Sequence, residues 1–467
     1  MDKRLRAAID YIPRWIEHQM RLTEQPGCSL AVAHKGKVVL EAAFGHADAT
    51  RGLPLTPCHR FRVASHSKCF TAAGVLKLRE LGQLALDEPV GRHVERLHPR
   101  VAKVTLQQLL THSAGLVRDG SDSGQWSDRR PFLDEAQVRA DLAAGPTLPP
   151  NTRFKYSNHG YALLGLVIEA VTGEPYIDWI AREIVAAAGL QETTPDMPLP
   201  GGALLARGHS AKLPLGRRVI IPGDGQTRAL APATGFVSTA HDLALFFAGL
   251  SPQAKRSVLS VDSRREMLRH QWRDPHASVE RWYGLGTISS TLADWALSGH
   301  TGGFQGTVSR SVTVPAHDIA VSVLTNANDG QAYNWVDGML HIIRTYSLRG
   351  AAARRLAGWD SRWWSLWGAV DLLAMGDRVL VANPGQPNPL LDASEVEVAR
   401  RNGNGAWTGR ITLANGYALH GEPVRMLHDA RGRATEFWLA GHRLLPEARV
   451  AKELERKYGS ARQHGKG

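Results

Sequence analysis

The sequence predicts a mixed α/β fold: an antiparallel sheet flanked by helices, opened by an all-helical insertion, and followed by a small antiparallel β-barrel-like unit. Three observations predict it. Strand patterns stand near residues 29–44 and again near 307–325, so one sheet draws on widely separated parts of the chain. The stretch between them carries apolar residues at helical spacing. Beyond residue 349 the pattern changes to short strand segments separated by turn residues, as in an independent barrel or sandwich. The expected division is therefore 1–348 and 349–467.

Each element has its own signal. Ile9, Ile12, Trp15 and Ile16 give an N-terminal helix one apolar side. Ser29 to Ala33 and Lys37 to Phe44 read as strands around a Lys35-Gly36 turn. Helices are expected over Phe70 to Leu81, closed by Gly82, and over Leu106 to Thr111, Glu135 to Leu142, Gly160 to Val171, Tyr176 to Ala188 and Asp242 to Leu250. Strands return at Thr307 to Val314 and Ile319 to Thr325, before a helix from Ala332 to Tyr346. The second unit opens on a tryptophan cluster (Trp359, Trp363, Trp364, Trp367). Its expected strands are Arg378 to Ala382, Glu395 to Ala399, Trp407 to Leu413, Tyr417 to His420 and Thr435 to Leu439. Asn402 to Gly405, Asn415-Gly416 and Arg431-Gly432 punctuate them as turns.

Composition narrows the function class. The 467 residues are 43% hydrophobic and 21% charged, which suits a globular enzyme rather than a disordered or membrane-spanning chain. No apolar run approaches a bilayer span, and Arg14, Glu17, His18 and Arg21 interrupt the N-terminal region where a secretory signal would be apolar. Cytoplasmic residence is the expectation. The net charge of +12 comes without a nucleic-acid-binding motif; solubility explains it best, and a carboxylate-bearing substrate second. The basic end, including Lys452, Arg456, Lys457 and Arg462, reads as a solvated tail. Cys28, Cys58 and Cys69 form no disulfide framework or zinc spacing, and Cys69 is expected to be a small packed side chain. The histidines form no metal-ligand cluster, so neither a metal nor another cofactor is expected.

Three short motifs carry chemistry. In Ser65-His66-Ser67-Lys68 a hydroxyl and an amine stand three residues apart, on one face of a helix that begins at or just after Ser65. A serine hydroxyl needs such a neighbouring base to become a nucleophile. Tyr156-Ser157-Asn158 stands just ahead of an apolar helix. A phenol beside an ammonium is expected to have its pKa lowered, which would suit a proton shuttle; an asparagine there can hold the lysine or donate to a substrate carbonyl. His300-Thr301-Gly302-Gly303 places two glycines at a strand edge, where a substrate backbone can approach closely.

In this order the motifs resemble those of the serine active-site penicillin-recognising enzymes: class C β-lactamases, D,D-peptidases, D-aminopeptidases and related carboxylesterases. Phe61 to Ala64, Thr105 to Leu116 and Gly235 to Ala240 look like the same family, and the likeness runs over about residues 27–345. The resemblance implies a serine hydrolase with Ser65 as nucleophile. Lys68 and Tyr156 would move its proton, Asn158 would orient Lys68 and the substrate amide, and the N–H groups of Ser65 and Gly303 would form the oxyanion hole. His300, Thr301 and Gly302 would line the substrate site. β-Lactamases usually carry lysine where His300 stands; a histidine titrating near neutrality points away from antibiotic hydrolysis, toward small peptide, amide or ester substrates. A carboxylesterase with the same residues is the enzymatic alternative, and a slowly deacylating penicillin-binding protein the non-hydrolytic one. Arg118 to Asp122 and Trp126 are a candidate cleft wall. D-aminopeptidases of this group carry extra β-barrel domains, so the C-terminal unit fits the resemblance too.

Overall fold

The computed structural model describes residues 2–401, 406–414 and 418–459. Of the sequence expectations, Asn402 to Gly405, Asn415-Gly416, Tyr417 and Arg462 lie outside the described residues. The chain groups into two compact units, 24–336 and 1–23 together with 337–467.

The larger unit is built on a nine-stranded antiparallel sheet. Its strands are β1 (Gly27–His34), β2 (Lys37–Asp48), β3 (Leu53–Pro54), β4 (Trp272–Arg273), β5 (Arg281–Tyr283), β6 (Ile288–Leu292), β7 (Trp295–Phe304), β8 (Thr307–Val314) and β9 (Ile319–Thr325). Their spatial order is β3-β2-β1-β9-β8-β7-β6-β5-β4, so β1 pairs with β9 and joins the two ends of the unit's chain. The β1–β2 hairpin turns through Lys35 and Gly36, both at positive φ. Between β3 and β4 runs a helical region. It includes α2 (Ser67–Glu80), α3 (Leu106–Leu110), α4 (Glu135–Leu142), α5 (Asn158–Thr172) and α6 (Ala240–Leu250), following the N-terminal α1 (Lys3–Leu22).

The apolar positions of α2, α5 and α6 form one core with Phe61, Phe236 and strand residues such as Ala31 and Leu324. Helix α2 is apolar nearly all round and accordingly buried from Ser67 to Leu76. The segment expected as one helix from Tyr176 to Ala188 begins as an α-helical turn, Tyr176–Ile180, and continues as a wider π-helical turn over Ala181–Ala186.

Strands β4 to β7 were not expected from the sequence. β4 and β5 have only two and three residues, too short for a periodicity to show. In β7 the glycines of the His300 motif lie within a ten-residue strand.

The second unit contains α1 and an eight-stranded antiparallel meander whose strands pair in chain order. Helix α7 (Ala332–Arg349) leads into β10 (Ser361–Ser365), β11 (Gly368–Met375), β12 (Arg378–Ala382), β13 (Ser394–Arg401), β14 (Trp407–Leu413), β15 (Pro423–His428), β16 (Ala434–Leu439) and β17 (His442–Leu444), and α8 (Glu447–Tyr458) follows. Trp364 and Leu445 exchange two backbone hydrogen bonds of 2.8 Å, which brings the first strand against the end of the last and nearly closes a barrel. Trp359, Trp363 and Phe437 fill its interior, whereas Trp367 stands 90% exposed at the β10–β11 turn. Residues 418–420 form no strand; β15 lies further on, at Pro423–His428.

The packing units differ from the division at 348/349 by residues 1–23 and 337–348. Tyr11 Oη donates to Asp371 at 2.8 Å, and Gln19 donates to the Pro384 carbonyl at 2.6 Å, so α1 is bonded to the β-meander unit. An apolar helix face shows that something covers it without showing what. No helix among the described residues is long and apolar enough to cross a membrane.

Candidate active site

The site is assembled by three local devices. The first is the turn before α2. Phe61–Arg62 pairs with Val237–Ser238, and Ala64 to His66 then form a 3-10 turn that runs directly into α2. Ala64 has φ +47°, a left-handed conformation that costs an alanine about 1 kcal/mol and swings Ser65 out of the helix path. Ser67 Oγ holds this turn by donating to the Ala64 carbonyl at 2.5 Å. Ser65 is half-buried at the surface of the turn, while Lys68 is fully buried beneath it.

The second device is the start of α5. Ser157 is its N-cap and accepts from the Gly160 N–H at 2.9 Å. Its own hydroxyl donates to the Val117 carbonyl at 2.6 Å, and its N–H donates to His112 Nδ1 at 3.1 Å. Tyr156 is thereby fixed just ahead of the helix and Asn158 on its first turn.

The third is β7. It pairs with β8 from Ser298 to Phe304 but with β6 only as far as Gly299, leaving the other edge of residues 300–304 unpaired with β6. A side chain on Gly302 would overlap the Val63 carbonyl, lying 2.5 Å from Ser309 Oγ and 3.0 Å from His66 Nδ1. The absence of a Cβ is what lets the strand run beside the serine turn.

These devices bring the residues together. Lys68 Nζ lies 3.2 Å from Ser65 Oγ, 2.8 Å from Asn158 Oδ1 and 2.8 Å from the Ala233 carbonyl. Tyr156 Oη lies 2.9 Å from Ser65 Oγ on another side. Burial holds the Lys68 pKa well below its ordinary 10.5, only partly opposed by the Asp119 carboxylate. The Tyr156 phenol is pushed up by burial, which outweighs the opposing hydrogen bond with Ser65. The expected lowering of that phenol therefore does not occur, although Nζ lies 4.7 Å from its ring centroid.

Ser65, Tyr156, His300, Thr301 and Gly303 line a cleft of about 380 Å³, together with Arg118, Phe154, Asp274, Arg281 and Tyr283. Gly302 faces away from it, against the turn. His300 is buried: its Nδ1 donates to the Thr301 carbonyl at 2.7 Å, and its Nε2 accepts from Tyr283 Oη at 3.1 Å. Burial, then its proximity to the Lys68 amine, holds its pKa well below 6.5. The expectation of a histidine titrating near neutrality is corrected accordingly. The adjacent His66 is also buried, with its pKa lowered to about 4.

Sequence reasoning missed Tyr283, the Ala233 carbonyl and the Arg281–Asp274 pair, which lie on short or irregular segments without a periodic signal. Of the proposed cleft wall, Arg118 lines the cleft, whereas Asp119 and Trp126 stand behind it. Asn158 Nδ2 is bonded to Asp119 at 2.6 Å, so its amide is committed to the protein at both ends. Cys69 is packed, its thiol donating to the Gly286 carbonyl at 2.9 Å. Among the described residues no group of three His, Cys, Asp or Glu is arranged to hold a metal ion.

Residues 12–340 match the Beta-lactamase family, and the chain belongs to it. Protein flp of Staphylococcus aureus strain MW2 is 29% identical over 183 residues, 38% of this chain and 36% of that protein. The chain thus spans about a third of the length of such curated relatives. The octameric penicillin-binding protein homologue from Pyrococcus abyssi superposes with a TM-score of 0.65 at 22% identity, over 94% of this chain and 100% of that one. The D-amino acid amidase from Ochrobactrum anthropi SV3, solved with L-phenylalanine amide, does so with a TM-score of 0.62 at 26% identity, over 73% and 99%.

Proposed function

We propose that the protein is a serine hydrolase that cleaves small amides or peptides through an acyl-enzyme on Ser65. The observation that carries this reading is the placement of Ser65 Oγ between Lys68 Nζ at 3.2 Å and Tyr156 Oη at 2.9 Å. A neutral lysine has two N–H donors and one lone pair. The donors match the Asn158 and Ala233 oxygens, which can only accept, and the lone pair is left for the Ser65 hydroxyl. The pKa directions agree: the amine is pushed toward its neutral form and the phenol toward its protonated form.

Lys68 is accordingly the base that takes the Ser65 proton as Oγ bonds to the substrate carbonyl carbon. The oxyanion is received by the backbone N–H groups of Ser65 and Gly303, with Thr301 and His300 along the same strand edge. As the C–N bond breaks, Tyr156 protonates the departing nitrogen and is reprotonated from Lys68. Water then attacks the ester; its proton passes by the same groups to Ser65 Oγ, releasing a carboxylic acid. A protonated phenol suits an amine leaving group, which cannot depart as an anion, and this favours amides over esters. The likeness to a D-amino acid amidase supports the same substrate class. The division into a hydrolase part and a C-terminal barrel part belongs to this reading, with the site wholly within residues 24–336.

The test is intact-protein mass spectrometry with a fluorophosphonate, alongside chromogenic D- and L-aminoacyl anilides, aryl esters and a β-lactam. One adduct on Ser65, its loss in Ser65→Ala, and anilide turnover are expected. Turnover of esters alone would sink the amidase reading, and a lasting β-lactam adduct without turnover would favour a stalled penicillin-binding protein.

A further inference from the structure

Asp119 takes no part in the steps above, yet it is bonded to a residue that touches Lys68. Its Oδ1 accepts from Asn158 Nδ2 at 2.6 Å and from Trp126 Nε1 at 3.0 Å, and its Oδ2 accepts from Arg118 Nε at 2.9 Å. The residue is 9% exposed. An asparagine amide has one donating and one accepting end. Here the accepting end faces the Lys68 amine at 2.8 Å and the donating end faces a carboxylate. Turned over, it would set NH2 against an amine and oxygen against a carboxylate, both repulsive.

We propose that Asp119 is a positioning residue: it locks the Asn158 amide with its oxygen toward Lys68, and its charge sets the pH at which the lysine becomes a base. The inference rests on the reading of Ser65 as nucleophile and Lys68 as base. Asp119 is the carboxylate whose charge opposes the effect of burial on that lysine. The other ionisable groups facing Nζ are Tyr156 and Tyr161, whose ring centroids lie 4.7 and 5.5 Å away, the neutral His112 and His300, Cys69 on the same helix, and the opposing Arg118 cation.

The test is the rate of Ser65 labelling by a small fluorophosphonate as a function of pH, on the full chain. Wild type, Asp119→Asn and Asp119→Ala are compared, and folding is checked by circular dichroism. Labelling rises as Lys68 loses its proton. Asp119→Asn keeps an oxygen for Asn158 and Trp126 but removes the charge, so this limb moves to lower pH. Below it the variant reacts faster than wild type, by about tenfold for each unit of displacement. Asp119→Ala removes the charge as well but also frees the amide, and so slows labelling about 10- to 100-fold on the plateau above the limb, where Lys68 is already neutral.

A merely structural aspartate would lower stability without moving the limb, and Asp119→Asn alone decides the question if Asp119→Ala does not fold. A limb absent or unmoved in Asp119→Asn, or a wild-type plateau rate in folded Asp119→Ala, overturns the proposal. If wild type takes no adduct on Ser65, the nucleophile reading fails and this inference with it; an adduct with an unmoved limb overturns the inference alone.

Discussion

Gly302 packs against Val63 so closely that a Cβ at position 302 would overlap the Val63 carbonyl oxygen. That contact holds β7 against the 3-10 turn bearing Ser65. The next residue, Gly303, lines the cleft with nothing within 4 Å of its would-be Cβ.

The two glycines therefore predict opposite outcomes. Gly302→Ala should force strand and turn apart, cost about 1–3 kcal/mol of stability and slow Ser65 labelling at least tenfold. Gly303→Ala should leave the melting temperature close to wild type and act only on substrate entry. Thermal melts with fluorophosphonate labelling check both, and equal melting temperatures for the two variants would contradict the packing argument.

His300 predicts a pH result. Its ring is neutral, with Nδ1 donating to Thr301 and Nε2 accepting from Tyr283, and its pKa lies well below 6.5. It gains a proton only well on the acid side of neutrality. His300→Gln should lower kcat/KM through loss of the Tyr283 contact while leaving the shape of the profile between about pH 6 and 9 unchanged. A break near neutrality present in wild type and missing in the variant would show that the imidazole titrates there.

Lys68 predicts a stability result. Its folded-state pKa lies well below its ordinary 10.5, so between those values the unfolded chain binds a proton that the folded chain does not. Stability contributed at this position is thus fully present only above about pH 10.5 and falls with pH toward the folded pKa. Lys68→Met removes the dependence. The difference in unfolding free energy, wild type minus variant, should rise with pH in that window by at most about 1.4 kcal/mol per unit. Urea denaturation at several pH values measures it, and a flat difference would mean that the lysine stays protonated in the fold.

Much of this was legible in the chain. The hairpin, β8, β9, β12 and α4 show in the sequence because each has a period, a turn or a cap of its own. Ser65, Lys68, Tyr156 and His300 were legible because their motifs are short and their order along the chain is distinctive.

Local patterns in the chain were enough to read the mixed α/β class, the terminal barrel-like unit and which side chains are candidates for the chemistry. Tertiary structure alone decided how those side chains are charged and held. Burial, which depends on everything packed around a group, drives the lysine toward neutrality, raises the tyrosine and removes the titration expected of His300 near pH 7. It also assigned α1 to the barrel's packing unit and brought Asp119 behind Asn158, 39 residues apart in the chain. Such contacts join positions that share no local period, so they exist only once the chain has folded.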